Sequence, residues 1–202
     1  MPVTRRACLF AALLTAAAAG GCTTPRPFYD YAKEPDPRKT GYLLGPSDIV
    51  HVNVWKNADL TVDATVRPDG SITLPLLGDI PAGGHTPEQL RDAITQKLSA
   101  FIKDETATVT VTVTTVASYH FEVSGNVEHG GAFVSTHYVT VSEAMALAGG
   151  PNKFASPEQT VIIREDPQRG VRRIPIDYPA ILDGTHPEQD LALFSGDLIY
   201  VP

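Results

Sequence analysis

Side chains that could act as metal ligands, acids, bases or nucleophiles are scattered through this 202-residue sequence. No metal-ligand spacing links its six histidines, which are His51, His85, His120, His129, His137 and His186. No Gly-x-Ser-x-Gly elbow, P-loop or dinucleotide fingerprint occurs either. We therefore predict no catalytic residue, no metal site and no cofactor. Paired carboxylates that meet in space to hydrolyse a glycosidic bond stay an open alternative.

The amino-terminal residues could be a site of lipid attachment. Residues 1–21 are typical of a secretory signal peptide, because Arg5 and Arg6 precede a short run of small and apolar residues. That run ends in Ala19-Gly20-Gly21-Cys22, which resembles the bacterial lipobox, where the cysteine becomes the lipidated first residue. The alternative is an ordinary signal that leaves Cys22 as a free thiol. Thr23 follows the cysteine, and resemblance to Gram-negative lipoproteins then implies the outer membrane.

Charge and composition narrow the class of protein. The chain has 16 basic and 23 acidic residues, a formal net charge of −7, whereas a nucleic-acid-binding protein needs a basic face. Hydrophobic residues make up 43% and charged residues 19%, which is ordinary for a folded domain. No stretch after residue 22 approaches the roughly 20 apolar residues of a membrane-spanning helix. We expect no nucleic-acid partner and contact with the membrane only through lipid.

A first unit of mixed strands and one main helix is predicted over residues 41–117. Its strands are expected at 49–55, 62–66, 72–76 and 106–115, where apolar residues alternate with polar ones. The second and third of these should pair as a hairpin around Pro68-Asp69-Gly70. A capping box that begins at Thr86 should start a helix reaching Ile102, with Leu90, Ile94, Leu98 and Phe101 on one apolar face.

A second unit is predicted over residues 118–202. Its strands are expected at 119–123, 132–135, 161–163, 173–176 and 198–201, and a helical turn at 178–182. A capping box at Thr140 to Glu143 should start a helix that Gly149-Gly150 ends. The strands and helices do not alternate as in a doubly wound sheet, so the fold class is α+β.

Residues 22–40 carry four prolines among charged and aromatic residues and show no apolar periodicity. They are predicted to form an extended, lipidated tether ahead of the folded units. The alternative is an extended segment that lies on a neighbouring domain or subunit.

Two features admit a structural or a sugar-binding interpretation. Pro68-Asp69-Gly70 could contact a saccharide, but the same residues build a tight turn without a ligand, which is the reading we favour. Trp55 could stack on a sugar ring. Its place at the end of an alternating strand favours a partly buried core or an interface instead. Tyr42 and Tyr119 are ambiguous in the same way.

The motifs of both units, in this order, resemble one family. Residues 42–50, 52–55 and 66–78 are similar to the polysaccharide export signature domain of bacterial outer-membrane polysaccharide export (OPX) lipoproteins. Residues 123–127, 144–150 and 195–202 are similar to the soluble-ligand-binding β-grasp (SLBB) domain that follows it. The motif positions assigned a structural role are Gly45, Pro46, Asp48, Trp55, Pro68, Asp69, Gly70, Pro75, Gly125, Gly149, Gly150, Gly196 and Asp197.

Departures from the family pattern fall at turns and at the end of the chain. Ser47 stands where the family usually has Gly, while His129-Gly130-Gly131 and Phe194-Ser195-Gly196-Asp197 replace proline-containing turns. Longer members add a second β-grasp unit and a pore helix, so this sequence is expected to be a short form without them. The resemblance implies an α+β signature domain followed by a β-grasp (ubiquitin-like) domain.

The resemblance also implies a function and partners. The expected protein is a non-enzymatic, lipid-anchored subunit of a periplasmic ring at the outer membrane of a Gram-negative bacterium. The ring would enclose a conduit for capsular or extracellular polysaccharide and dock to an inner-membrane copolymerase through the signature domain. A separate outer-membrane β-barrel protein would complete the path. The alternative is a monomeric carbohydrate-binding lipoprotein at the surface or in the periplasm.

Overall fold

The computed structural model describes residues 29–101, 108–166 and 170–202. The predictions of a signal peptide and of lipidation at Cys22 lie outside these ranges, as do Ile102 and the first residues of the strand expected at 106–115. In chain order the strands are β1 (Ile49–Val54), β2 (Val62–Thr65), β3 (Ser71–Leu74), β4 (Gly78–Pro81), β5 (Val109–Thr115), β6 (His120–Gly125), β7 (Gly131–Val134), β8 (Thr160–Asp166), β9 (Gly170–Ile176) and β10 (Leu198–Val201). The α-helices are α1 (Pro87–Leu98), α2 (Val141–Leu147) and α3 (Tyr178–Leu182).

The first unit has a three-stranded antiparallel sheet, in the order β2-β1-β5, and the separate two-stranded hairpin β3-β4. Val50, Val52 and Val54 of β1 point into the core, as their alternation predicts. Helix α1 covers this core, and the predicted capping box is confirmed, because the Thr86 and Gln89 side chains bond each other's backbone N–H. The helix ends at Leu98, not Ile102, and Phe101 lies beyond it with 57% of its surface exposed.

The hairpin predicted from residues 62–66 and 72–76 is wrong. Strand β2 pairs with β1 instead, while β3 pairs with β4. The turn at Pro68-Asp69-Gly70 does form, and it carries the chain from one sheet to the next. The Gly70 carbonyl accepts bonds from the amides of Ala82 and Gly83, 2.9 and 2.7 Å away, so the turn is tied to the segment after β4 rather than to β2.

The second unit is a five-stranded sheet in the order β7-β6-β10-β8-β9. Strands β6 and β10 are parallel, β7 pairs antiparallel with β6 at one edge, and the hairpin β8-β9 pairs antiparallel with β10 on the other side. Counted within the unit this is the order 2-1-5-3-4, the β-grasp arrangement. The core joins the sheet to α2 and α3, and its largest fully buried side chains are Phe121, Met145, Ile162, Ile174, Ile176, Leu193 and Ile199. The predicted α+β fold class is confirmed.

The segment before the first unit is packed rather than extended into solvent. Residues 29–40 form two short 3-10 turns, Tyr31–Lys33 and Pro37–Lys39, and lie against the second unit. The Tyr31 hydroxyl donates to the Pro175 carbonyl of β9 at 2.6 Å. Residues 29–40 therefore do not form the extended tether that we predicted. They match the alternative, a segment that lies on a neighbouring domain. Among the described residues, no helix has the length and apolar character to cross a membrane.

Candidate functional site

A buried carboxylate holds the two units together. Asp48, which precedes β1, is 0% exposed and accepts five hydrogen bonds. Its Oδ1 atom accepts from the amides of Ala117 and Ser118, both at 2.8 Å, in the connector between the units. Its Oδ2 atom accepts from the Tyr42 hydroxyl at 2.6 Å, the Gly45 amide at 2.9 Å and the Ser118 hydroxyl at 2.9 Å. We call this group of five residues the joint.

The turn before Asp48 brings the connector unusually close. A Cβ atom on Gly45 would lie 2.5 Å from Ser118 Cβ, so only glycine fits at this position. Pro46 and Ser47 form the corner of the turn, and Ser47 has a left-handed φ of 74°. In a type II turn with proline at the second position, the third residue has a positive φ and is normally glycine. This geometry explains why the family usually has glycine at position 47.

Neutral donors keep the Asp48 carboxylate charged. Burial acts to raise its pKa, but the hydrogen bonds from Tyr42, Gly45, Ala117 and Ser118 together outweigh burial, and the pKa lies below its ordinary value. Burial and the bond to Asp48 raise the pKa of the Tyr42 hydroxyl, which therefore remains a donor. The joint is thus a fully satisfied polar network, and such networks hold their members in one arrangement.

A cleft of about 240 Å³ opens at the joint. Tyr42 and Val113 line it from the first unit, Val116 from the connector, and Tyr119, Thr136, His137 and Tyr138 from the second unit. The tyrosine hydroxyls are engaged elsewhere, because Tyr119 donates to the Leu193 carbonyl and Tyr138 to the Gly41 carbonyl. The rings therefore present carbon surface to the cleft.

A second buried carboxylate lies inside the β-grasp unit. Asp197, directly before β10, is 1% exposed and forms a two-pronged ion pair with Arg164 of β8, with a closest N–O distance of 2.6 Å. Arg164 also contacts Glu34 from the amino-terminal segment at 3.3 Å, and Glu34 pairs in turn with Arg172. Burial raises the pKa of Asp197 more than the Arg164 charge lowers it.

Trp55 is not a core residue, because 61% of its surface is exposed. It stands at the end of β1 beside an open groove of about 440 Å³, which is lined by Asn53, Val54, Trp55, Lys56, Asn57, Ala58 and Thr61.

The remaining motif positions serve local structure. Pro68 and Asp69 are exposed in the turn after β2, where Asp69 pairs with Arg67 at 2.7 Å. Pro75 begins the turn of the β3-β4 hairpin. Five motif glycines have a left-handed φ: Gly125 ends β6, Gly149 and Gly150 follow α2, and Gly70 and Gly196 lie in the turns before β3 and β10.

One of these glycines is required by packing as well as by φ. A Cβ on Gly125, at the end of β6, would stand 2.0 Å from the Val201 carbonyl oxygen of the parallel strand β10. A residue with a side chain at this position would push the two central strands of the second unit apart.

The structure joins the predicted site residues in two places and leaves others apart. Gly45, Pro46 and Asp48 meet at the joint, while Gly196 and Asp197 meet Arg164 at the second carboxylate. No sequence pattern indicated the roles of Ser118, Arg164 and Glu34. A buried strand position occupied by arginine is a signal that a counter-charge lies nearby, but its partners are 33 and 130 residues away in the chain.

No described group of three or more His, Cys, Asp or Glu side chains is arranged to hold a metal ion within residues 29–101, 108–166 and 170–202.

Comparisons with known proteins agree on one family. Residues 36–114 match the family model described as "Polysaccharide biosynthesis/export protein". The chain is 33% identical over 153 residues to the exopolysaccharide production protein ExoF of Rhizobium meliloti, covering 69% of this chain and 32% of that protein. It is 24% identical over 188 residues to the EPS I polysaccharide export outer membrane protein EpsA of Ralstonia solanacearum, covering 81% and 48% respectively. The chain therefore spans about a third to a half of the length of these relatives.

Proposed function

We propose that this chain is a member of the polysaccharide biosynthesis/export family, whose model residues 36–114 match, and that it is a subunit of a machine that exports polysaccharide at the outer membrane of a Gram-negative bacterium. The matched segment contains β1 to most of β5 and the Asp48 half of the joint. The names of the relatives refer to exopolysaccharide production and export, and we propose no catalytic activity.

The proposed mechanism is containment by a ring of identical subunits. Such a ring needs units that keep one relative orientation, because small rotations within each subunit would open gaps between neighbours. The observation that carries this role is the joint, where Asp48 accepts bonds from both the first unit and the connector. A hinge with a free linker would not hold two stacked layers in register.

The partners belong to the same proposal. The first unit would face an inner-membrane copolymerase, a separate outer-membrane β-barrel protein would continue the path, and lipid on Cys22 would anchor the ring. The boundaries of the units, 41–117 and 118–202, and their assignment as signature and SLBB domains are likewise proposed. The second candidate, a monomeric carbohydrate-binding lipoprotein, is favoured by the exposed Trp55.

Deletion of the gene in its own bacterium tests the export role. Polysaccharide in the culture medium should fall to near background and return with the wild-type gene. Asp48→Asn should complement poorly, whereas Asp63→Asn, which alters an exposed aspartate on β2, should complement fully. Normal export by the deletion strain would overturn the proposal.

The size of the detergent-extracted protein separates the two candidates. A closed ring should elute and weigh as one fixed multiple of the subunit mass at every protein concentration. A strictly monomeric lipidated protein would favour the carbohydrate-binding alternative.

A further inference from the structure

The groove beside Trp55 combines an exposed indole with polar side chains. Trp55 is the sole tryptophan of the chain, and it is 61% exposed at the end of β1. Three of its neighbours along the groove end in groups that form hydrogen bonds, namely Asn53, Lys56 and Asn57. A large apolar surface rimmed by a few polar groups is the usual composition of a ligand site.

The backbone of the groove is held rigidly. The Trp55 amide donates to the Thr108 carbonyl at 2.9 Å, and the Asn57 side-chain amide donates to the Trp55 carbonyl at 3.1 Å. Thr61 bonds the Val54 amide at 3.2 Å and so closes the loop on the other side. The indole is therefore presented by a fixed loop, which lowers the entropy lost when a ligand binds.

Lys56 holds a conformation that its residue type disfavours. Its φ of 62° is left-handed, which is uncommon for a residue that is neither Gly, Asn nor Asp. Strain of this kind collects at functional sites, because the surrounding structure must enforce it. Here it sets Lys56 beside the indole in the groove.

The polar groups of the groove are available to a ligand. Among the described residues, the Asn53 amide and the Lys56 ammonium group have no hydrogen-bond or ion-pair partner, and the Asn57 side-chain oxygen also has none. An unengaged amide, a second amide oxygen and a cation therefore line the same groove as the indole. This set offers both donors and acceptors to hydroxyl groups.

We propose that the Trp55 groove binds a segment of polysaccharide, with one sugar ring stacked on the indole. The C–H face of a pyranose is apolar and its edge carries hydroxyls, so the ring fits an aromatic surface bordered by amides. Lys56 would pair with a carboxylate or another acidic substituent on that segment. The choice of a saccharide rests on the proposed function. The shallow, open groove suits a polymer that must be held weakly and released.

A protein partner fits these residues less well. The core of a protein interface is depleted of lysine, whereas Lys56 and two asparagines adjoin Trp55 here. Burial of the groove by a second copy of the chain is instead one outcome of the test.

Fluorescence of Trp55 in the full chain tests the proposal directly. The probe is the exopolysaccharide purified from the bacterium's own culture and trimmed to oligosaccharides. We expect a saturable change in emission, and binding about tenfold weaker for Asn53→Ala and for Lys56→Asn, which tolerates a positive φ. Lys153→Asn is the matched control, because Lys153 also lies beside an exposed ring, 4.9 Å from the centre of Phe154, but outside the groove. It should bind like the wild type.

Contrary outcomes are distinct. The proposal would be overturned if emission did not change up to the solubility limit of the oligosaccharides. It would also be overturned if the emission shifted with protein concentration alone, because such a shift would indicate that a second copy of the chain covers Trp55. If deletion of the gene abolishes export while Trp55→Ala exports normally and the wild type shows no emission change, only this inference fails. If the oligosaccharide binds but deletion leaves export intact, only the proposed export function fails.

Discussion

Two buried aspartates, Asp48 and Asp197, occupy the same kind of position before a strand but bind different kinds of hydrogen-bond donor. Asp48 and Asp197 each end a turn, each precede a strand, and each accept a bond from the amide three residues earlier, at 2.9 and 2.8 Å. Asp48 receives all its other bonds from neutral donors, whereas Asp197 is held by the Arg164 guanidinium. Their pKa values shift in opposite directions because burial outweighs the Arg164 partner at Asp197 and raises its pKa, whereas the hydrogen bonds outweigh burial at Asp48 and lower its pKa.

The difference matches what each carboxylate connects. The neutral donors around Asp48 come from the first unit and from the connector that leads into the second, so the network fixes one unit against the other. The charges around Asp197 join β8 and β10 to Glu34, so this network fixes the amino-terminal segment onto a single unit. A buried charge pair is costly when one partner is lost, while a network of neutral donors loses its bonds one by one.

Removal of the Arg164 charge should have the largest effect. Arg164→Met leaves Asp197 and Glu34 without their shared counter-charge in a buried site, and the free energy of unfolding should fall by about 3–5 kcal/mol. Urea unfolding of the purified chain measures it. Arg173→Met, on the exposed face of β9, is the control and should change stability by less than about 0.5 kcal/mol. A loss below about 1 kcal/mol for Arg164→Met would show that the pair contributes little.

Removal of the Asp48 charge should cost less. Asp48→Asn leaves one side-chain oxygen where the wild type has two. Its NH2 group cannot accept the hydrogen bonds that Tyr42, Gly45 and Ser118 donate to Oδ2. We expect a loss of about 2–3 kcal/mol in the same urea experiment. Asp63→Asn should stay within about 0.5 kcal/mol of the wild type, because its carboxylate is exposed. Equal stability of both variants would refute a joint held by Asp48.

A methyl group at Gly45 tests the close approach at the joint. Gly45→Ala places Cβ against Ser118 Cβ and should cost about 1–3 kcal/mol. Ser118→Gly in the same chain should recover part of that loss, although it also removes a bond to Asp48. A double-mutant cycle measures the recovery, and strictly additive losses would contradict the contact.

Relief of the strained turn should have the smallest effect. Ser47→Gly removes the cost of a side chain at φ 74°, but it adds flexibility to the unfolded chain. A net gain of about 0.5 kcal/mol is expected in thermal unfolding. A loss of stability would mean that the Ser47 side chain contributes bonds that outweigh its strain.

Short-range patterns in the sequence predicted the elements well. The alternation in β1 and the capping box at Thr86 each depend on residues within four positions of one another, and both were confirmed. The same holds for Gly149 and Gly150 at the end of α2, which both have a left-handed φ. Local geometry decides such features, so local sequence is sufficient to predict them.

Features that depend on distant partners were missed. The pairing of β2 with β1 rather than β3 follows from how two sheets share a core. The docking of residues 29–34 depends on Arg164 and Arg172, more than 100 residues away. Trp55 was expected to lie in a partly buried core or at an interface because it ends an alternating strand; the core role is wrong, since the loop after it turns at Lys56 and leaves 61% of the residue exposed.

The central claim is that Asp48 makes the two units one rigid subunit, and unfolding followed by two probes tests it most directly. Fluorescence of Trp55 reports the first unit, and hydrogen exchange of the amides in β6, β8 and β10 reports the second. In the wild type both signals should be lost in a single transition at the same urea concentration. In Asp48→Asn they should separate into two transitions. Separate transitions in the wild type, or coincident and unshifted transitions in Asp48→Asn, would contradict the claim.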